Sequence, residues 1–238
     1  MKAVVLCAGL GKRLGDLTKD RPKAMLDIGG RPLLEHTIGH LKRHGITEIA
    51  INLHYFSDKI TAHFGDGSRF GVDIKYSHEK ELQGTAGALH GLSAWLQKDQ
   101  SDFLVIYGDL FTTHDLSSLI AAHRRHQAMA TLVLHRRAHS NSVVVVDDDF
   151  RLTGFWERPE SHQLEKLKTA HGDFWVNSGI QVLSPEILDY VMTHHCFDLP
   201  RDVYVPLVGS KKLYGHPLTG ERVAIDSEAR YREVLGAG

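Results

Sequence analysis

Apolar positions along this chain alternate between short solid runs and helical stripes. Ala3-Val4-Val5-Leu6 is a solid run, broken off by Cys7-Ala8-Gly9-Leu10-Gly11. Runs of this length and composition predict strands buried on both faces. The same reading predicts strands over 48–53, 72–76, 103–107 and 130–135. Between them, Leu33, Leu34, Ile38 and Leu41 repeat at helical spacing after Pro32 and stop at Gly45. Ala86, Leu89, Leu92 and Leu96 mark a helix over 85–96, Ser57 is read as the cap of a short helix to Phe64, and Asp115 as the cap of another. Strand and helix in alternation predict an α/β architecture, with ligands outside the carboxyl ends of parallel strands.

The grammar changes near Ser142. Val143 to Val146, the turn Asp147-Asp148-Asp149 and Leu152 to Trp156 predict a hairpin. The polar stretch 161–170 reads as a mobile loop or short helix, and 174–183 as a long strand. Pro185 opens a helix to about His194; then come Leu213-Tyr214, a strand over 222–225 and a closing helix capped by Ser227. No repeat, low-complexity tract or linker divides the chain, so the expectation is a single domain over 1–238.

Composition narrows the partners. A chain of 238 residues can bury a full core. A net charge of -1 and a pI near 7.0 provide no general field for nucleic acid or an anionic membrane. Any anion site must therefore be local. Cys7 and Cys196 form no spaced pair, which fits a reduced compartment without a disulfide framework. The apolar opening to Leu10 is stopped by Gly11-Lys12-Arg13, with neither a signal-peptide layout nor a membrane-spanning run. A cytoplasmic protein is expected. The 17 histidines are scattered; His123 with His126, and His194-His195-Cys196, match no zinc spacing and read as structural or solvated.

The chemistry concentrates where the first strand ends. Glycines let the backbone approach oxygens, and amides and cations neutralise them, so Gly9-Leu10-Gly11-Lys12-Arg13 predicts a phosphate loop. Two common motifs are excluded. A dinucleotide fingerprint needs glycine where Leu14 stands, and a P-loop needs Ser or Thr where Arg13 stands. Asp109, ending the apolar strand at Tyr107-Gly108-Asp109, sits where a carboxylate would bind Mg²⁺, or is a turn or capping aspartate. Asp226, at the end of a late strand, reads as a second metal carboxylate or as the acid at a helix N-terminus.

Gly9-Leu10-Gly11-Lys12-Arg13-Leu14 followed by Arg21-Pro22-Lys23-Ala24-Met25 closely resembles the signature of sugar-1-phosphate nucleotidylyltransferases. Four further segments follow in the family's order: Gln83-Gly84-Thr85-Ala86-Gly87-Ala88, Gly108-Asp109, Trp156-Glu157-Arg158-Pro159 with Val176-Asn177-Ser178-Gly179, and Val223-Ala224-Ile225-Asp226. The resemblance implies a Rossmann-like mixed, mostly parallel sheet with helices on both faces. It implies a nucleotide-binding half over about 1–140 and a sugar-binding half over about 141–238. Arg13 and Lys23 become the catalytic cations. Leu6, Ala8, Gly9, Gly11, Lys12, Gln83, Gly84 and Thr85 hold the nucleotide, with Lys12 either reaching phosphate or facing water. Gly108, Glu157, Arg158, Asn177 and Gly179 line the sugar, Arg158 standing where lysine is usual. Asp109 and Asp226 hold Mg²⁺, although Ser227 departs from the family's turn after the second acid.

The implied reaction joins a nucleoside triphosphate to a sugar 1-phosphate. The attacking phosphate is already ionised, so positioning and charge stabilisation would supply the catalysis rather than a base. The chain looks most like short bacterial heptose or mannose 1-phosphate guanylyltransferases, which favours GTP. The same chemistry with UTP, dTTP or CTP, and with glucose, N-acetylmuramate phosphate, phosphocholine or a phosphonate, is the alternative. A non-catalytic sensor would have lost Arg13, Lys23 or the aspartates. Self-association into a homo-oligomer is left open.

Overall fold

The computed structural model describes residues 1–137, 142–171 and 174–236; the side chains of Lys12 and of residues 168–171 lie outside this description. Among the described residues, nine strands form one sheet. Its nucleus is β1 (Lys2–Leu6), whose residues alternate between two apolar layers. Ala3 and Val5 face α1 (Leu33–Arg43), α2 (Ser57–Phe64) and α4 (Leu116–His126). Val4 faces α3 (Gly84–Leu96) and α6 (Glu186–Thr193). Solid apolar runs were needed because both faces are covered.

Strands β4 (Glu48–Leu53) and β6 (Phe103–Tyr107) flank β1 in parallel, and β5 (Asp73–His78) extends the β4 side. On the other side β6 pairs with β11 (Phe174–Leu183), which runs antiparallel to it and to β8 (Ala130–Arg137). Beyond β8, β12 (Leu213–Pro217) is again parallel. The hairpin of β9 (Ser142–Val146) and β10 (Leu152–Glu157) joins the amino-terminal half of β11. The sheet is thus mixed and mostly parallel, with β11 and the edge strand β10 as its reversed members. The β9–β10 hairpin and a helix over 161–171 lie between β8 and β11 in the chain, and β11 returns antiparallel beside β8.

Two short ladders lie off the main sheet. β2 (Asp27–Ile28) and β3 (Arg31–Pro32) make a tight antiparallel turn. β7 (Leu110–Thr112), not anticipated from the sequence, pairs with β13 (Arg222–Ala224). The last helix, which follows α5 (Ser161–His171) and α7 (Val205–Leu207), is α8 (Glu228–Gly236); the Ser227 hydroxyl accepts from the Arg230 amide as its cap. Val234 of α8 packs with Leu14, Leu26, Ile28 and Ile225, so the end of the chain braces the segment after the glycine loop. The Asp115 cap is present, its carboxylate accepting from Ser117 and Ser118. Ser57 is not a cap: it is the first residue of α2, after Phe56 in the left-handed region at φ 49°, and no side chain caps that end.

Candidate active site

Two cavities open along the carboxyl ends of β1 and β6 and the amino-terminal half of the antiparallel β11. The smaller, of about 330 Å³, is lined by Leu6, Ala8 and Gly9 of the glycine loop, by Lys23 and Asp109, and by Asn52, Glu79 and Gly84. The larger, of about 720 Å³, is lined by Glu157, Arg158, Asn177, Gly179, Arg222 and Asp226, among others. Thr85, Tyr107 and Asp198 belong to both walls, so the cavities are neighbours.

The two aspartates meet at that boundary. Asp109 follows β6 and β7 begins one residue later; β13 pairs with β7 so that Ala224 stands opposite Leu110. The Ile225 amide then donates to the Asp109 carbonyl at 2.8 Å, placing Asp226 beside it across 117 positions of sequence. Each acid carries a cation. Lys23 Nζ lies 3.1 Å from Asp109 Oδ2, and Arg13 Nη1 3.5 Å from Asp226 Oδ2. The first pair is largely buried; Arg13 is 74% exposed and reaches in from solvent.

The glycine loop is held by side chains the sequence did not single out. Asn52 at the end of β4 accepts from the Cys7 amide at 2.7 Å and donates to Glu79 at 2.7 Å. The other Glu79 oxygen accepts from the Gln83 amide at 3.0 Å, tying the loop to the start of α3. Gln83 itself turns away: its side-chain amide donates to the Glu81 carbonyl, and it is no part of the cavity wall. Gly11 is absent from the wall too. It adopts φ +64° to start the turn over 12–18, and Thr18 Oγ1 donates to its carbonyl at 3.1 Å. Gly84, at φ +71°, lets the chain pass Phe197: a Cβ there would stand 2.2 Å from the Phe197 carbonyl oxygen. The Lys12 side chain, expected near phosphate, lies outside the described residues.

On the larger side, β11 slips register between Asn177 and Gln181. Gly179, at φ +79°, makes the slip possible, and its amide donates to Asn177 Oδ1 at 3.0 Å. Asn177 therefore spends its oxygen on its own turn, on the wall of the larger cavity. Glu157 ends β10 half-buried; burial, and then the Asp198 charge, push its carboxyl above the usual range, opposed by Arg158 and Arg201. The Arg158 side chain is 83% exposed at the rim, 3.7 Å from Glu157. Gly108 lies in the smaller cavity rather than beside Glu157, because it packs on the glycine loop, where a Cβ would stand 2.4 Å from Cys7 Sγ. Asp198 caps the π-helical turn Leu199–Tyr204, which docks on α3 through Leu199 N to Thr85 Oγ1 at 2.7 Å.

Comparison with known proteins decides the family. The Nucleotidyl transferase family model matches residues 2–202. The chain belongs to the nucleotidyl transferase family. It is 32% identical over 223 residues to a UTP–glucose-1-phosphate uridylyltransferase of Synechocystis, covering 88% of this chain and 56% of that protein. It is 30% identical over 218 residues to a mannose-1-phosphate guanylyltransferase of Mycobacterium tuberculosis, covering 90% and 58%. The chain thus spans a little over half the length of these curated relatives. The crystal structure of HddC from Yersinia pseudotuberculosis superposes with a TM-score of 0.78 at 23% identity, over 99% of this chain and 98% of that one, which shows the shared fold.

The two acids suit one kind of metal. Among the described residues no three His, Cys, Asp or Glu side chains cluster as a metal cage. Asp109 on the smaller wall and Asp226 on the larger, joined through the Ile225 amide, fit Mg²⁺, which takes one or two carboxylates and completes its shell with phosphate and water. They do not fit a structural zinc. His123, by contrast, is structural: it is buried, with Nδ1 2.9 Å from Thr131 Oγ1 and Nε2 3.6 Å from Asp102. No helix among the described residues is long and apolar enough to cross a membrane.

Proposed function

We propose that the chain transfers the nucleotidyl group of a nucleoside triphosphate, GTP by preference, to a sugar 1-phosphate of the mannose or D-glycero-D-manno-heptose type. The observation that carries this reading is the carboxylate pair at the boundary of two cavities, with Asp109 on the smaller wall, Asp226 on the larger, and Lys23 3.1 Å from Asp109. In this reading residues 1–140 supply most of the nucleotide side and 141–238 most of the acceptor side of a single unit.

An acceptor phosphate oxygen attacks the α-phosphorus; the new O–P bond forms as the bond to the β-phosphate breaks, and pyrophosphate departs with the electron pair. Lys23 on the smaller wall holds the α-phosphate, and Arg13, reaching in from solvent, takes the β- and γ-phosphates with the loop amides. Mg²⁺, held by Asp109 and Asp226, would supply charge neutralisation on the reacting phosphate. Glu157 accepts from acceptor hydroxyls and Asn177 donates to one. The preference for GTP follows the likeness to a mannose-1-phosphate guanylyltransferase. The reading carries with it a cytoplasmic location, with neither nucleic acid nor membrane as partner.

Pyrophosphate release across GTP, UTP, dTTP and CTP tests the reading. Acceptors in the assay are mannose, heptose and glucose 1-phosphates, N-acetylmuramate phosphate, phosphocholine and a phosphonate, each with Mg²⁺ and with EDTA. GTP with mannose or heptose 1-phosphate should turn over fastest, and only with the metal. Faster turnover with another pair would replace the substrate assignment; no release with any pair would overturn the reaction.

A further inference from the structure

Of the two arginines on the larger cavity's wall that belong to no motif, Arg137 and Arg222, Arg222 stands nearer in sequence to the paired acids. Arg222 sits on β13, four residues before Asp226, and its Nε donates to the Ser178 carbonyl at 3.0 Å. That carbonyl is available because β11 has slipped out of register there, and Ser178 is held in turn by His135, whose Nδ1 is 2.8 Å from Ser178 Oγ. The guanidinium is therefore tied by one edge. Among the described residues nothing accepts a hydrogen bond from its terminal nitrogens. A planar fork fixed in this way offers two parallel donors, the arrangement that suits a phosphate.

The surrounding charge points the same way. Burial lowers the affinity of Arg222 for its proton, the Asp109 charge offsets this, Arg137 adds to it, Asp226 offsets again, and Arg230 adds. The aspartates are the ones assigned to the metal, so Arg222 and Arg137 are left facing the cavity as cations in want of an anion. Arg158, the position suggested by the family pattern, is 83% exposed with φ +50°. It points to solvent from the rim, whereas Arg222 stands beside the acids.

We infer that Arg222, rather than Arg158, grips the phosphate of the acceptor. The inference rests on the reaction proposed above and adds the residue that orients the attacking group. Arg222 then binds an oxygen edge of the acceptor phosphate through Nη1 and Nη2 and leaves another oxygen turned toward the α-phosphorus.

Steady-state kinetics of the purified chain with GTP and mannose 1-phosphate, or whichever pair the wild type uses best, test this. Arg222→Gln should raise the acceptor KM about 10- to 100-fold, the loss of charge-assisted hydrogen bonds, with the GTP KM within about threefold of wild type. Inorganic phosphate, competing with the acceptor, should lose affinity in the same variant. Arg158→Ala should raise the acceptor KM by less than Arg222→Gln does. If Arg222→Gln loses its cooperative melt, Arg222→Lys, which keeps the charge without the fork, takes its place with the same expected split. An unchanged acceptor KM, equal rises in both KM values, or a larger effect from Arg158→Ala would overturn the assignment while wild-type turnover left the reaction standing. No turnover by the wild type with any pair would instead overturn the reaction itself.

Discussion

The two cavities are built by opposite strategies. The smaller is made largely by backbone: consecutive residues after a parallel strand, Gly84 at φ +71°, Gly108 packed against Cys7, and amides locked by Asn52 and Glu79. The larger is made by side chains of both signs, Glu157, Asp198, His135, Arg137 and Arg222, drawn from four separate stretches of chain. A triphosphate is the same in every nucleotide, so a fixed main-chain cradle suits it. Acceptors differ in their hydroxyls, and side chains are the parts that change without disturbing a fold.

The comparison breaks most completely at the boundary. Asp109→Asn and Lys23→Ala should each lower kcat by about 100- to 1,000-fold, the usual cost of removing a charge from a phosphoryl-transfer site, with circular dichroism unchanged. Near wild-type turnover in Asp109→Asn would remove the metal assignment. Next comes the backbone strategy itself. Gly84→Ala puts a Cβ at φ +71° and 2.2 Å from the Phe197 carbonyl. The strain alone is worth roughly 1–3 kcal/mol, so the melting temperature should fall and the GTP KM should rise. Unaltered values of both would mean the turn relaxes freely.

On the side-chain side the effects are smaller and depend on pH. Because burial and Asp198 raise the Glu157 carboxyl, acceptor kcat/KM should fall on the acid side, beginning above pH 4.5. Glu157→Gln should cost about tenfold in acceptor KM and flatten that limb; an identical limb in the variant would assign it elsewhere. Smallest is a stability effect away from both cavities. Burial holds His40 and His114 down to about 4, and the Thr219 amide donates to His114 Nδ1, so the ring is neutral. Unfolded histidine titrates near 6.5. Between those values the unfolded chain binds more protons, so stability is complete above about pH 6.5 and is lost as pH falls toward 4. Thermal melts should shift downward by several degrees from pH 7 to 5; a flat melting temperature would count against buried neutral rings.

What could be read from sequence follows the same division. The glycine loop, Lys23 and Asp109 were legible because backbone-built sites leave short, ordered signatures. Asp226 was paired with Asp109 through the resemblance, but the ladder that brings them together was not legible: β7 is three residues long, too short to mark itself. Gln83 drew attention for standing next to Gly84, yet its own amide turns the chain onto Glu79, so the acid four positions earlier faces the cavity. Arg222 left no trace, since its placement depends on a register slip in a strand more than 40 residues away, as the 44-residue separation of its bond to Ser178 records.

The hydrogen bond from Ile225 to the Asp109 carbonyl also has a consequence in time. As the chain emerges from the ribosome, the parallel core and its glycine loop are complete long before residue 226 has been made. No chain shorter than 226 residues carries both acids, so their pairing comes after the segments of the parallel core have been made.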